Sequence, residues 1–478
     1  MTTVDAGPGD QYPAISLDTG TGDVYAFWIA STYQIMSKKY SGGSWSTVTL
    51  ETNTKTKYGL ESIYNVSSAA NMAWLWIQGP SGGDVKFSLL SSPFLSRTID
   101  TDGSGFIFNY NYQRKIFYDG TYYWAFYGDG TNTVYTYSPD TYTWENTVTN
   151  AFTTTGLDFV SVWYYDSGTT KTVYAVADST TGHTYVNVRK GTISGTTITW
   201  GTEATVTVSA TSFANKPAFI TRDSNGYLWI ASKSQPTSGN FNVAVVKSTN
   251  PDDVSAWGSL ATIADTSSTT GSVYATILPL SGGNMYAVWY QDGSIDGKKY
   301  TGSWGSQESV TTTANKVPSG VVDSSDNVHI LYVDGSGVEY AKRTSSWGAP
   351  TNLDSAAGST SPTITIDTST QNLYAYWVSS ANQIKGKRYA GSWTDITGFD
   401  VQTIAKNSLT SPYAYVGAPL VMWAQGSSPQ EIKVEKIPEF QDLVAPVVTT
   451  VLCVLLFARK RRRNLARRGR TESGAFPA

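Results

Sequence analysis

Three stretches far apart in the chain repeat one plan, and that repetition limits the fold more than any other feature of the sequence. "YPAISLDTGTGDVYAFW" (12–28), "SPTITIDTSTQNLYAYW" (361–377) and "VPSGVVDSSDNVHILY" (317–332) each open with an alternating run that ends in Asp18, Asp367 or Asp323. A polar turn follows, and a second run leads to Trp28, Trp377 or Tyr332. A third run and turn come next, in "SKKYSGGSW" (37–45), "GKKYTGSW" (297–304), "AKRTSSW" (341–347) and "GKRYAGSW" (386–393). Period-two alternation broken by Gly, Asn, Asp and Ser is the pattern of antiparallel strands joined by tight turns. Trp304, Trp347 and Trp393 are spaced by 43 and 46 residues, and Trp144, Trp200 and Trp257 hold the same place in longer units.

Each unit therefore supplies four strands. A twisted four-stranded meander leaves both faces uncovered, so neighbours must stack face to face, which predicts an all-β chain built as a β-propeller of four-stranded blades. Eight full units start near residues 12, 58, 112, 157, 214, 273, 317 and 361, and a ninth (411–437) has sequence for only three strands. "TTVDAGPGDQYPA" (2–14) resembles the end of a fourth strand leading into a first, as "TNLDSAAGSTSPT" (351–363) does. The N-terminal strand is therefore expected to complete the last blade of a ring of eight or nine repeats over residues 1–437. An eight-bladed ring with an extra unit, or two partial propellers, satisfies the same count.

The units resemble sialidase-type (BNR or Asp-box) repeats. In that family the turn between third and fourth strands reads Ser/Thr-x-Asp-x-Gly-x-x-Trp. Ser41-Gly42-Gly43-Ser44-Trp45 and Thr301-Gly302-Ser303-Trp304 keep the hydroxyl, glycine and tryptophan but not the aspartate. The aspartate stands instead in the first turn, as in Asp223-Ser224-Asn225-Gly226, where it is expected to cap the hairpin. Sialidase chemistry, as the resemblance implies it, needs three arginines on a carboxylate, a tyrosine activated by a glutamate, and an aspartic acid. Before the tail the arginines are Arg97, Arg114, Arg189, Arg222, Arg343 and Arg388. Arg189, Arg343 and Arg388 fall on third strands, away from the axis, and Arg114-Lys115-Ile116 matches an Arg-Ile-Pro motif only in part.

A propeller-fold glycosidase needs only two carboxylates. Asp166, Asp292, Asp296 and Asp334 sit beside Gly or Ser in turns, where capping is the simpler role. His183 and His329 are the only histidines, and His329 reads as a strand residue. No catalytic set assembles from these residues, so an enzyme is not the favoured reading. The runs 18–23 and 323–326 offer oxygen ligands for a structural Ca²⁺, and no other cofactor is expected.

Aromatic residues point to binding. With 16 Trp and 31 Tyr the chain exceeds what strand pairing requires. Trp28, Trp289, Trp377 and Trp423, with Trp45, Trp304, Trp347 and Trp393, recur in register and are expected to pack between blades. "FIFNYNYQRKIFYDGTYYWAFYG" (106–128) and "VWYYD" (162–166) break that register. Aromatic faces beside amides and carboxylates suit sugar rings, which makes Tyr110, Tyr112, Tyr122, Tyr164 and Tyr165 the candidate ligand-binding residues. Glycans or partner proteins are the expected ligands, with a polysaccharide-cleaving enzyme or a structural envelope component as alternatives.

The C-terminus reads as an address. Residues 443–458 carry no charge, and Arg459, Lys460, Arg461, Arg462 and Arg463 follow at once. Sixteen helical residues rise about 24 Å, close to a hydrocarbon core, and a flanking cationic cluster places that end in the cytoplasm. The alternative, a core helix with a basic nucleic-acid tail, is disfavoured because nothing else in the chain reads as helical, and no nucleic-acid partner is expected. Eight basic residues against Glu472 after position 442 leave about −10 on the rest, since the whole chain carries −3. Pro438-Glu439-Phe440, an apolar helix and an Arg cluster, in that order, resemble a PEF-type archaeal sorting signal. The resemblance implies an archaeosortase-type processing enzyme that cuts near the motif, and a body held at the cell surface, single-pass or lipid-anchored, with its N-terminus outside. The expected division is an extracellular propeller (1–437), the motif, transmembrane helix and Arg cluster (438–463), and a basic cytoplasmic tail (464–478). "MTTVDAGPGDQYPAIS" has neither a basic n-region nor an apolar h-region, so the natural start is expected upstream. Cys453, the single cysteine, lies in the apolar run, which excludes a disulfide within the body.

Overall fold

Alternating runs become strands almost wherever the sequence predicts them. The computed structural model describes the strands of residues 11–89, residues 97–103 and, short turns aside, residues 110–437. Pro438, Glu439, Phe440, the apolar run and the basic tail lie outside the described residues. Among the described residues no helix is long and apolar enough to cross a membrane. The chain divides into two compact units, 1–95 and 96 onward.

In the second unit six sheets follow one another along the chain, at residues 116–150, 157–207, 219–268, 273–311, 319–354 and 360–396, antiparallel except that Ala414–Tyr415 joins the last in parallel. A seventh joins Lys406–Thr410, Leu420–Gln425 and Gln430–Lys436 to Arg97–Gly103. Each sheet buries a face against the next, as Phe126 and Tyr135 of the first do with Val160 and Val173 of the second. Leu420, Met422 and Ile432 of the seventh share a core with Ile116, Ala125 and Val134 of the first, so the ring closes. The result is a seven-bladed β-propeller.

The first unit holds two further sheets. One orders Ser44–Glu51, Ile35–Ser41, Val24–Ile29 and Gln11–Asp18, with Asn65–Val66 added in parallel to Gln11–Asp18. The other has three strands, Lys57–Ser62, Ala73–Gln78 and Asp84–Leu89. Among the described residues nine sheets thus stand at the nine expected places, but seven form the ring. The closing strand also differs from expectation: Arg97–Gly103, which precedes the first ring blade, completes the last one, rather than residues 2–14. Both segments carry fourth-strand sequence, and alternation alone does not say which edge a strand will cover.

The recurrent tryptophans pack blade on blade. Trp200 meets Phe126 and Tyr135 of the preceding blade edge-on, Trp304 meets Trp229, and Trp393 meets Tyr340. Trp347 donates its Nε1–H to the Tyr286 hydroxyl at 2.9 Å, again one blade back. Gly297 makes room for that tyrosine, because a Cβ there would lie 2.5 Å from the Tyr286 ring. Gly297→Val is expected to lower the urea midpoint by an amount worth about 1–3 kcal/mol, the usual cost of overpacking.

First-turn aspartates cap their hairpins as expected. Asp223 Oδ1 accepts the N–H of Asn225 and Tyr227, both at 2.9 Å, while Oδ2 accepts the Trp229 indole at 2.9 Å. Asp119 does the same for Thr121, Tyr122 and Trp124. In the fifth blade His329 takes the tryptophan's place, its Nε2 lying 3.1 Å from Asp323 and its Nδ1 2.7 Å from the Tyr340 hydroxyl. Burial pulls the His329 pKa down despite Asp323, as suits a structural imidazole.

Candidate functional site

The inner strand of every propeller blade presents one edge to the axis, and its unpaired backbone groups need partners there. Residues 110–115 supply them. Asn111 Nδ2 donates to Val317 O at 3.2 Å and also to Pro362 O. Tyr112 donates its hydroxyl to Pro217 O at 2.9 Å, and Gln113 Nε2 donates to Ala218 O at 2.9 Å. Arg114 Nη2 reaches Gly320 O at 2.7 Å, while Nη1 reaches Ile364 O and Ser411 Oγ, both at 3.0 Å. This short segment therefore joins the inner strands of the third, fifth, sixth and seventh blades, and Val162 N–H donates to Arg114 O from the second. Residues 110–114 alternate like a strand, but the side chains of Asn111, Tyr112, Gln113 and Arg114 are spent on carbonyls around the axis.

Arg114 is 2% exposed and its Nε has no partner among the described residues. Burial lowers its pKa to about 10, with Tyr413 working in the opposite sense. Above the guanidinium opens a cavity of about 770 Å³, within the range of small-molecule sites. Arg114 and Tyr413 line it together, the guanidinium 5.8 Å from the ring centroid, with Trp163 tilted against Tyr413 at 4.7 Å. Phe117 and Tyr164 stack at 4.8 Å and 7° on one wall. Opposite, the Arg222 guanidinium lies 3.7 Å from the centre of the Tyr165 ring. Asp252 holds Arg222 by two hydrogen bonds, at 2.6 and 2.9 Å. The pairing raises the Arg222 pKa and lowers that of Asp252. Asp119, Asp166, Asp223, Ser224 and Thr368 add polar groups, and Val416 stands 65% exposed among the lining residues.

The structure divides the five tyrosines singled out by sequence. Tyr164 and Tyr165 line the cavity. Tyr110 and Tyr112 belong to the axial segment and pack on Tyr274, with Tyr110 also against Phe159. Tyr122 packs edge-on against Tyr137 in the first blade and does not line the cavity. Trp163, Tyr413, Arg114 and Arg222 were not among the candidates. One signal was available for Trp163: Leu157–Asp166, at ten residues, is longer than any other inner strand described in the ring, and its last residues line the cavity. Tyr413 and Arg222 come from distant repeats, and ring closure alone brings them together.

Lining carboxylates are engaged as caps. Asp119 and Asp223 hold the turns described above, and Asp166 accepts the Gly168 N–H at 2.7 Å and the Tyr164 hydroxyl at 3.4 Å. Burial pushes up the carboxyl pKa of Asp158, Asp178, Asp296 and Glu339, none of which lines the cavity. A general acid needs that kind of shift beside the substrate. Among the arginines, Arg343 pairs with Glu308 at 2.6 and 2.7 Å and Arg189 donates to Gly201 O and Ala151 O. Residues 19–23 fall outside the described residues. In the 323–326 run, Asp323 accepts Ser325 and Asn327 N–H groups and Asp326 accepts Ser281 N–H. Among the described residues no three His, Cys, Asp or Glu side chains gather as a metal site.

No protein-family model matches the sequence, and no curated protein is significantly similar to it. Among solved structures, similar chains include the BP39L lectin from Burkholderia pseudomallei, at 12% identity and a TM-score of 0.42, covering 80% of this chain and 98% of that one. AofleA from Arthrobotrys oligospora shows 11% identity and a TM-score of 0.43, over 63% of this chain and 94% of its own. The NanB sialidase from Streptococcus pneumoniae shows 11% identity and a TM-score of 0.39, over 87% and 84%. Values this low carry no argument about the site, and the propeller rests on its own strand pairing.

Proposed function

We propose that the protein is a glycan-binding propeller held at a cell surface, with the axial cavity as its binding site. One observation carries the reading: Trp163, Tyr164, Tyr165 and Tyr413 bring aromatic surface into a single concave site that also holds Arg222 and the turn aspartates. Sugar rings bind by laying their apolar C–H faces on aromatic rings while hydroxyls meet charged and amide groups. The carboxylates near the cavity serve the turns, which supports binding without cleavage. Anchoring is supported by the apolar run 443–458 and the arginines after it, a span and a cytoplasmic flank in one stretch.

Full-length protein retained on a polysaccharide should lose that retention on Trp163→Ala or Tyr165→Ala. Each change is expected to weaken binding about 30-fold, roughly 2 kcal/mol, as for a central aromatic contact. Tyr122→Ala, away from the cavity, should change affinity less than twofold. Titration calorimetry reads both, with a thermal melt to verify folding. Equal losses from Tyr122 and Trp163, or none from either, would put the site elsewhere.

A further inference from the structure

The three-stranded sheet of the first unit lacks something its counterpart in the ring possesses. Gln11–Asp18 to Ser44–Glu51, with Asn65–Val66, has the strand order of Thr360–Asp367 to Trp393–Ile396 with Ala414–Tyr415. The following sheet, Lys57–Ser62, Ala73–Gln78 and Asp84–Leu89, likewise matches Lys406–Thr410, Leu420–Gln425 and Gln430–Lys436. In the ring, Arg97–Gly103 covers the outer edge of Gln430–Lys436. By position that strand is the fourth of the repeat containing Asp84–Leu89. Its use in the ring leaves Asp84–Leu89 with no outer neighbour among the described residues. Such an edge offers a row of unpaired backbone donors and acceptors.

The sequence also holds a stretch with fourth-strand pattern that lies outside the described residues. Thr2 precedes Gln11 by nine residues, as Thr351 precedes Thr360, and "TTVD" (2–5) matches "TNLD" (351–354). Asp354 ends its strand with Oδ2 accepting the Trp377 Nε1–H at 2.9 Å. The same offset carries Asp354 onto Asp5 and Trp377 onto Trp28, and the Trp28 Nε1–H is buried without a partner among the described residues. Two independent features, an open edge and an orphaned indole, therefore ask for the same residues.

We propose that residues 2–5 of one copy complete the three-stranded sheet of a second copy, as its fourth strand. The direction follows from the ring. Thr351–Asp354 completes the sheet that precedes its own blade, whereas the three-stranded sheet comes after Gln11–Asp18 and packs against it from that side. A copy's own open edge is therefore on the wrong side for its own residues 2–5. Aligning "DVKF" (84–87) with "GVEY" (337–340) transfers the known register, so Lys86 opposes Thr3 as Glu339 opposes Asn352. The contact is heterologous: every copy offers one strand and one edge, and association runs head to tail.

Cysteine pairing tests this. Two full-length chains, one Thr3→Cys and isotope-labelled, the other Lys86→Cys, each with Cys453→Ser, are mixed and oxidised mildly. A mixed disulfide is expected at least tenfold above a control that pairs Thr3→Cys with Lys38→Cys. Lys38 lies on a strand whose outer edge Ser44–Glu51 already covers. A mixed-disulfide yield no greater than that control overturns the proposal. So does a chain carrying both cysteines that crosslinks only within itself, which would mean that each copy fills its own edge.

Discussion

Arg114→Met is expected to lower the unfolding free energy of the ring by about 3–4 kcal/mol. The guanidinium donates to Gly320 O, Ile364 O and the Ser411 hydroxyl, all buried, on three blades. A hydrogen bond from a charged donor contributes about 1.5–3 kcal/mol, and each buried carbonyl left bare costs about 1–3 kcal/mol. Against this stands the cost of burying the charge, visible in the Arg114 pKa of about 10, which keeps the net below the sum of the bonds. Arg114→Lys should recover less than half, because one ammonium cannot span acceptors that a planar fork reaches on both sides. Urea denaturation followed by tryptophan fluorescence measures both. A loss under 0.5 kcal/mol for Arg114→Met would mean that the axial segment does not hold the ring together.

Next to it, Lys115 makes stability depend on pH. Its side chain is 1% exposed, and burial lowers its pKa from 10.5 to about 7. Its Nζ donates to Gln113 Oε1 at 2.9 Å. Above pH 7 the folded state gives up this proton while the unfolded chain keeps it, so the unfolded state binds more protons and stability rises with pH. Below pH 7 both states are protonated and the full penalty of the buried charge is present. Between pH 7 and 9 the gain from Lys115 is about 2 kcal/mol, at about 1.4 kcal/mol per unit once the folded group has lost its proton. Lys233, lowered to about 8 by burial, adds a smaller rise in the same window. Lys115→Met should be the more stable protein at pH 7 and should lose most of the slope. An unchanged slope in the variant would show that Lys115 keeps its proton by other means.

The repeats are legible because most of them carry one or both of two fixed points, a first-turn aspartate and a tryptophan after the third strand. Asp223 and Trp304 show why: one caps a hairpin and the other packs on the neighbouring blade, so neither can drift in register. Ring closure was not legible. Residues 2–5 and Arg97–Gly103 both alternate like fourth strands, and the choice between them belongs to the whole ring. The same limit applies to the site. Tyr164 and Tyr165 stand out from the repeat pattern and line the cavity, whereas Tyr110 and Tyr112 stand out equally and lie in the axial segment. Irregularity marks both the cavity lining and the axial segment, and what each side chain touches separates them. Arg114 looked like half of a motif for binding carboxylates, yet its donors are turned to backbone carbonyls.

The central claim is that the axial cavity binds a glycan and leaves it intact. Incubating the full-length protein with a panel of envelope and environmental polysaccharides, and measuring retention together with release of reducing ends, tests it most directly. Retention of at least one polymer, lost in Trp163→Ala and without new reducing ends, is the predicted result. New reducing ends from a retained polymer, or no retention of any, would contradict it.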